Sequence, residues 1–505
     1  MQSKSTRCAK ALRPVAAAGI GFFLCACSLI VGRHPEEAAP PAVPAAEAET
    51  APPPAPVPVP IPLDDVEMVE VSSVPQRFSG LAKAAGERPA LGESCRERLL
   101  HDFRERFYAP WTSKGPIFDV AEARVLMRDE ARRSWYGENK RKMPGRMMRE
   151  LLDNCALSGF PSRSLAAVAV APGHLRGLPT HLPLYETSED EPFDMLSFPQ
   201  VKLNEPLRVL HVSRDGAWYF VETGYANGWI ETRDVALVDA ATVRSRMDAA
   251  QVVVTKDFVP VADGRGTGTF PAKIGTILPL AGDDQERADG TGDWRVAVAS
   301  AGEGGKAEFH TSIIPRTAAA SFPLPFSSDQ IAAIGDQLLG QPYGWGESFD
   351  LRDCSAMLRD FFLPFGIWLP RTSADQIASI PRRVGLAGMA ARKKEQEILK
   401  AGVPFLTLLY KPGHIMLYVG TDADGKPLVF HDAWSIRVKV HGREQTRIIG
   451  SSVITTLEPG KGLGLVPGTS LLDRITELAV IPERCEVPVA RVRRASPPSA
   501  RIGGK

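Results

Sequence analysis

The spacing of apolar residues changes character twice along this chain, and that order limits the fold more than any other feature. From about residue 75 to 172 the pattern is mostly helical. Within Cys95–Phe107 the side chains of Leu99, Leu100, Phe103 and Phe107 fall on one helical face. From about 173 to 316 short β-prone runs alternate with turn signals. Leu207–Val212 precedes Ser213-Arg-Asp-Gly216, Ala217–Val221 follows, and Asn227-Gly228 supplies a second tight turn before Trp229-Ile230. A further set runs from Val252 through Phe258-Val-Pro260 and Ile274–Leu280 to Trp294–Val298. From about 317 to 485 helical patterns come first and strands later, which predicts a sheet packed on one helical layer. The expected class is therefore α+β and multidomain.

The segment before residue 75 cannot contribute to a core. Ten of the 23 residues from Pro40 to Pro62 are proline, so residues 28–74 read as an extended Ala/Pro-rich tether. Ahead of it, Lys4, Arg7, Lys10 and Arg13 precede the apolar run Val15–Leu24, the layout of a secretory signal over residues 1–27. Leu24-Cys25-Ala26-Cys27 resembles the bacterial lipobox, which implies cleavage before Cys27 and its lipidation. Ser28 at the next position points to a periplasmic, lipid-anchored protein on the outer membrane. Residues 486–505 are basic and Pro/Gly/Ser-bearing, and read as a disordered tail.

Composition removes several function classes. The formal net charge is +1, so no nucleic-acid partner is expected, and membrane contact is expected through the anchor only. No internal apolar run reaches the roughly 18 residues of a spanning helix. Ala131–Glu150 holds seven Lys/Arg against two Glu, which reads as a solvated helical surface. Of seven cysteines only Cys95, Cys155, Cys354 and Cys485 follow the leader; none forms a CxxC or metal-ligand spacing, so no metal and no cofactor are expected. In an oxidising compartment Cys95 and Cys155 are candidates to pair. Nothing in the sequence speaks to oligomeric state.

The chemistry concentrates in Gly340–Phe362. Met357, Leu358, Phe361 and Phe362 recur at helical spacing after Cys354, and Asp353 is a good N-cap directly before it. Cys354 is thus expected in the first turn of a buried helix, where unpaired amides and the helix dipole favour a thiolate. A buried structural cysteine is the competing reading. A general base has to come from elsewhere in the chain. His414 begins a β-prone run after the Lys411-Pro-Gly turn, and His431 lies on the next strand, with Asp422–Lys426 between them. Adjacent antiparallel strands bring both rings to one sheet edge, where one can accept the thiol proton and the other orient it.

Taken together, Tyr343-Gly-Trp-Gly346, Arg352-Asp-Cys-Ser355, Leu369-Pro-Arg-Thr-Ser373 with Gln376, Gly413-His414 and His431-Asp-Ala-Trp434 resemble the NlpC family of papain-like cell-wall cysteine peptidases. Upstream, the strand–turn–strand–Gly-Trp-Ile order resembles bacterial SH3-like domains. The resemblance implies a helical N-terminal segment (75–172), two small SH3-like β-barrels (173–248 and 249–316) and a papain-like α+β catalytic domain (317–485). It implies cleavage of the γ-D-glutamyl–meso-diaminopimelate bond of peptidoglycan stem peptides, with Cys354 as nucleophile, His414 as base and His431 as third member. Tyr343 and Trp345 would then shape the acyl-side pocket, Tyr343 also offering an oxyanion donor. Ser355, Arg371, Thr372 and Ser373 would line the stem-peptide site.

Two positions depart from the family pattern. Thr372 stands where members acting on free stem peptides carry an Asp that holds the L-Ala amine, which favours stems in intact wall as substrate. Glu347 stands where a further Gly is usual. The alternatives are a recycling peptidase on free stems, an amidase or acyl transferase on another γ-glutamyl or lipid substrate, and a catalytically idle wall-binding lipoprotein.

Overall fold

The computed structural model describes residues 74–85, 91–189, 193–263, 265–266, 268–281 and 292–483. The signal segment, its lipidation site Cys27, the tether up to residue 73 and the basic tail lie outside the described residues.

The N-terminal segment is helical as expected: α1 (Phe78–Ala84), α2 (Glu93–Phe107), α3 (Ala109–Thr112), α4 (Val120–Arg132) and α5 (Gly145–Asn154). On α2, Phe103 is buried, and Leu99 and Phe107 pack against the same core. The basic stretch after Ala131 is not one helical surface. The α4 helix ends at Arg132 and α5 starts only after Pro144, because the residue before a proline is pushed out of the helical region and Trp135 turns inward between them. Helix α1 belongs to the C-terminal core: Phe78 is fully buried, its ring centroid 4.8 Å from that of Phe430 and 6.0 Å from that of Phe361. Cys155 is a buried free thiol while Cys95 is disulfide-bonded, so these two do not pair.

The first β unit contains β1 (Leu165–Ala169), β2 (Gly173–Arg176), β3 (Ser197–Val201), β4 (Pro206–Val212), β5 (Trp218–Glu222), β6 (Asn227–Glu231) and β7 (Val235–Leu237). They form one antiparallel sheet in the order β3-β2-β6-β5-β4-β1-β7. Among the described residues this is an open strand order and not the closed barrel expected. It also recruits β1 from the stretch read as helical. The turn expected at Asn227-Gly228 lies elsewhere. Asn227 opens β6, and the reversal falls on Thr223–Ala226, where the Thr223 hydroxyl accepts from the amides of Tyr225 and Ala226. Gly228 serves strand packing: a Cβ there would stand 3.0 Å from Leu175 and 3.1 Å from the Arg176 carbonyl.

After α6 (Ala240–Asp248) come β8 (Gln251–Val254), β9 (Val259–Ala262), β10 (Thr269–Ala272), β11 (Ile277–Pro279), β12 (Trp294–Ala301), β13 (Ala307–Ile314) and β14 (Ala319–Ser321). These pair as β11-β8-β14, β10-β9 and β12-β13, again without closure among the described residues. One apolar cluster, including Val252, Val261, Leu278, Trp294 and Val298, unites the three small sheets. Strand β14 extends this unit past the boundary expected at 316.

The C-terminal domain carries α7 (Ser328–Leu338), α8 (Cys354–Phe362), α9 (Ser373–Ser379), β15 (Arg382–Gly385), α10 (Ala391–Ala401), β16 (Thr407–Lys411), β17 (His414–Thr421), β18 (Pro427–Val440), β19 (Arg443–Thr456), α11 (Leu471–Arg474) and β20 (Glu477–Val480). Its antiparallel sheet runs β15-β20-β16-β17-β18-β19. Helices cover both faces, not one. Ile415, Leu417, Leu428 and Phe430 face α7 and α8, whereas Met416, Tyr418 and Val429 face Ile398 of α10 and Leu471 of α11. Successive side chains on a strand point to opposite faces. Unbroken apolar runs in β17 and β18 therefore require cover on both sides.

Candidate active site

Cys354 opens α8 because Asp353 caps it: one carboxylate oxygen accepts from the amides of Ser355 (3.2 Å) and Ala356 (2.9 Å). Every residue of α8 is buried, which presses the helix start against the sheet. The sulfur lies against β17, close enough to the Ile415 amide to be stabilised by it. That amide follows His414 directly, so nucleophile candidate and base candidate converge on one strand end.

The two histidines meet as the strand order requires. His414 Nε2 lies 2.9 Å from His431 Nδ1, and His431 Nε2 lies 2.9 Å from the Thr455 hydroxyl on β19. The Thr455 hydroxyl donates to the Thr456 carbonyl at 2.8 Å, so it accepts from His431. With His431 Nε2 protonated, its Nδ1 accepts, and His414 Nε2 is the donor. Nδ1 of His414 is then the unprotonated nitrogen. Burial, then His431 and Lys411, hold the His414 pKa well below its usual value; burial and Lys411 bring His431 to about 3.

The thiol departs from expectation. Burial first, then the Asp353 carboxylate, push Cys354 up to about 12, against the lowering effect of the Ile415 amide. The helix-start effect read from sequence is outweighed by desolvation and the flanking carboxylate. Both shifts favour a neutral thiol beside a neutral imidazole.

Behind the helix start lies a buried ion network. Arg371 binds Asp353 at 2.6 Å, Ser355 Oγ at 2.8 Å and Glu347 at 3.0 Å, and Glu347 also pairs with Arg359 at 3.1 Å. Ser355 and Arg371 are thereby engaged with the cap of α8. Glu347 adopts φ +65 with its side chain wholly buried, so the departure from Gly supplies an anchor for two arginines. Its neighbour Gly346 has φ +60, and a Cβ there would lie 2.4 Å from the Ser197 carbonyl of the first β unit. Arg352, 2% exposed, forks onto Asp257 of the second β unit at 2.7 and 2.8 Å and onto Asp360 at 2.8 Å. Lys202 of the first β unit completes the cluster, 2.7 Å from Asp360.

An aromatic cluster adjoins the site. Phe193 of the first β unit meets Trp345 edge-on at 5.6 Å and Trp434 at 5.0 Å, and Trp434 lies 5.8 Å from Tyr343. Burial, then Cys354 and Asp353, push the Tyr343 phenol well above its usual range, so it stays a donor. Thr372 is exposed and caps α9, its hydroxyl 2.6 Å from Asp375; Ser373 follows, half-buried. Sequence reasoning missed Thr455, Asp257 and Phe193 as site neighbours, and marked Glu347 as a departure from Gly without its two arginine partners. It also missed Asp432, 1% exposed, whose two oxygens have no hydrogen-bond partner among the described residues. Asp432 had a signal, its place beside His431; Thr455, Asp257 and Phe193 had none.

Four family models match the chain: the NLPC_P60 stabilising domain, N term (residues 19–160), an SH3 domain of SH3b1 type (183–231), an SH3 domain of SH3b2 type (239–285) and the NlpC/P60 family (340–445). A solved NlpC/P60 endopeptidase from Photobacterium damselae subsp. piscicida is similar at 20% identity, covering 81% of this chain and 97% of its own, with a TM-score of 0.71. An NlpC/P60 family protein from Bacillus cereus ATCC 10987 aligns at 17% identity over 63% of this chain and 100% of its own, with a TM-score of 0.42. No curated protein matches the chain.

Proposed function

Because the chain belongs to the NlpC/P60 family and carries SH3-like accessory domains, we propose that it cleaves the γ-D-glutamyl–meso-diaminopimelate bond of peptidoglycan stem peptides. The family assignment supports the coarser statement, peptidoglycan hydrolysis by a cysteine-peptidase-like enzyme. The observation that carries the finer reading is the convergence of the Cys354 helix start and His414 on one end of β17, with His414 hydrogen-bonded to His431 and His431 to Thr455.

In this reading the Cys354 sulfur attacks the γ-carbonyl carbon while Nδ1 of His414 takes the thiol proton. Proton transfer accompanies attack, since the resting thiol is neutral. The Cys354 amide and the Tyr343 hydroxyl are the donors for the developing oxyanion. Collapse breaks the C–N bond, and His414 returns its proton to the departing amine. Water then hydrolyses the thioester, with His414 taking its proton and returning one to sulfur. Ser355 and Arg371 hold Asp353 and so position Cys354, whereas Trp345, Thr372 and Ser373 remain at the groove for the stem. Thr372 carries no charge of its own, which supports stems in intact wall over free peptides, and its hydroxyl is engaged with Asp375. Anchoring through Cys27 on the periplasmic face of the outer membrane completes the proposal, supported by the leader sequence.

The test is mass spectrometry of muropeptides after incubation with wild type and Cys354→Ala. Cleavage after γ-D-glutamate that disappears in the variant is expected. A cut elsewhere refutes the specificity, and no Cys354-dependent cut refutes the enzyme. Activity restricted to free L-Ala-D-Glu peptides ends the intact-wall reading.

A further inference from the structure

Lys411 closes β16 and pairs in register with His414, the first residue of β17, across the Pro412-Gly413 turn. Its side chain is half-buried, and its ammonium stands within electrostatic reach of Cys354 and of both imidazoles. Arg474 is a further cation within electrostatic reach of it, and four buried cations of the ion network behind Cys354 differ from it in one respect. Arg352 is matched by Asp257 and Asp360, Arg371 by Asp353 and Glu347, Arg359 by Glu347, and Lys202 by Asp360. Among the described residues Lys411 has no carboxylate partner. A partly desolvated ammonium without an anion is unfavourable in the free protein and becomes favourable when an anion arrives.

Resting on the hydrolase reading above, we infer that Lys411 is a specificity-determining residue that receives a free carboxylate of the stem peptide. A γ-linked D-glutamyl residue keeps its α-carboxylate, and meso-diaminopimelate keeps one at its far end. One lies on the acyl side of the scissile amide and the other at the far end of the leaving diamino acid, so the shared chemistry is a free carboxylate of the stem. A charge-assisted hydrogen bond of this kind contributes discrimination on the order of tenfold or more.

The experiment measures kcat/KM of wild type, Lys411→Gln and Lys411→Arg on three glycan-linked stem peptides: the free acid, the form amidated at the D-glutamyl α-carboxylate, and the form amidated at the far diaminopimelate carboxylate. Wild type is expected to prefer the free acid by about tenfold or more over one amidated form, and that form identifies the carboxylate. Lys411→Gln should lose this preference and Lys411→Arg keep most of it. Because each preference is a ratio within one protein, partial misfolding or a uniform effect on the nucleophile leaves it unchanged. An unaltered ratio in Lys411→Gln, or no preference in wild type, overturns the inference. Failure of wild type to cleave any of the three overturns the hydrolase reading and this inference with it.

Discussion

His414 Nε2 donates to His431 Nδ1 across 2.9 Å, and this one bond decides which nitrogen of His414 is free for the thiol. Replacing His414 by Gln should lower kcat by about 10²–10⁴-fold, the usual contribution of a general base. Thr455→Val removes the acceptor for His431 and should lower kcat roughly two- to tenfold with KM unchanged, the scale of one hydrogen bond. Steady-state kinetics on a stem peptide checks both. An unchanged kcat in Thr455→Val would show that the relay ends at His431.

Thiol reactivity follows from a neutral resting pair. With Cys354 pushed up to about 12 and His414 held well below its usual value, alkylation by iodoacetamide should stay slow near neutrality and climb steadily into the alkaline range. Mass spectrometry separates Cys354 from Cys155, the other free thiol among the described residues. A rate plateau already reached below pH 8 would instead mean a thiolate–imidazolium pair.

Asp432 makes a pH-dependent stability contribution of predictable sign. Burial, and then the Asp353 charge, raise its pKa well above the usual carboxylate range, with Arg352 opposing. The folded state then holds a proton that the unfolded state has released, so stability falls as pH rises from the unfolded value toward the folded one. Asp432→Asn should raise the melting temperature at neutral pH, with the gain shrinking to nothing as pH drops below about 4. A gain of equal size at both pH values would assign the effect to something other than ionisation.

The fork of Arg352 onto Asp257 couples the second β unit to the residue two places before Cys354. Both side chains are buried, and burial of Asp257 is outweighed by Arg352, which holds its pKa near 2. Removing one partner of such a pair typically costs about 3–5 kcal/mol. Asp257→Ala should therefore lose about that much in urea unfolding, along with activity in the fraction that remains folded. A loss below about 1 kcal/mol would mean that Asp360 alone neutralises Arg352.

The sequence by itself determined what is encoded over a few residues. Asp353 as cap and Cys354 as first residue of α8 were legible because capping is local, and β17, β18 and the Asp422–Lys426 turn because strand and turn signals are local. Two neighbouring strands then had to bring His414 and His431 together. Tertiary structure decided what depends on distant groups. A thiol expected to be low is high because burial and the Asp353 carboxylate act on it at once. The expected single helical layer is double because both faces of β17 and β18 are apolar. The Asn227-Gly228 signal lost its turn to strand packing against Leu175. Glu347, Asp257, Thr455 and Lys411 gain their roles from neighbours far away in sequence. Periodicity reports which face a residue occupies, whereas desolvation and charge depend on everything else that the fold gathers around it.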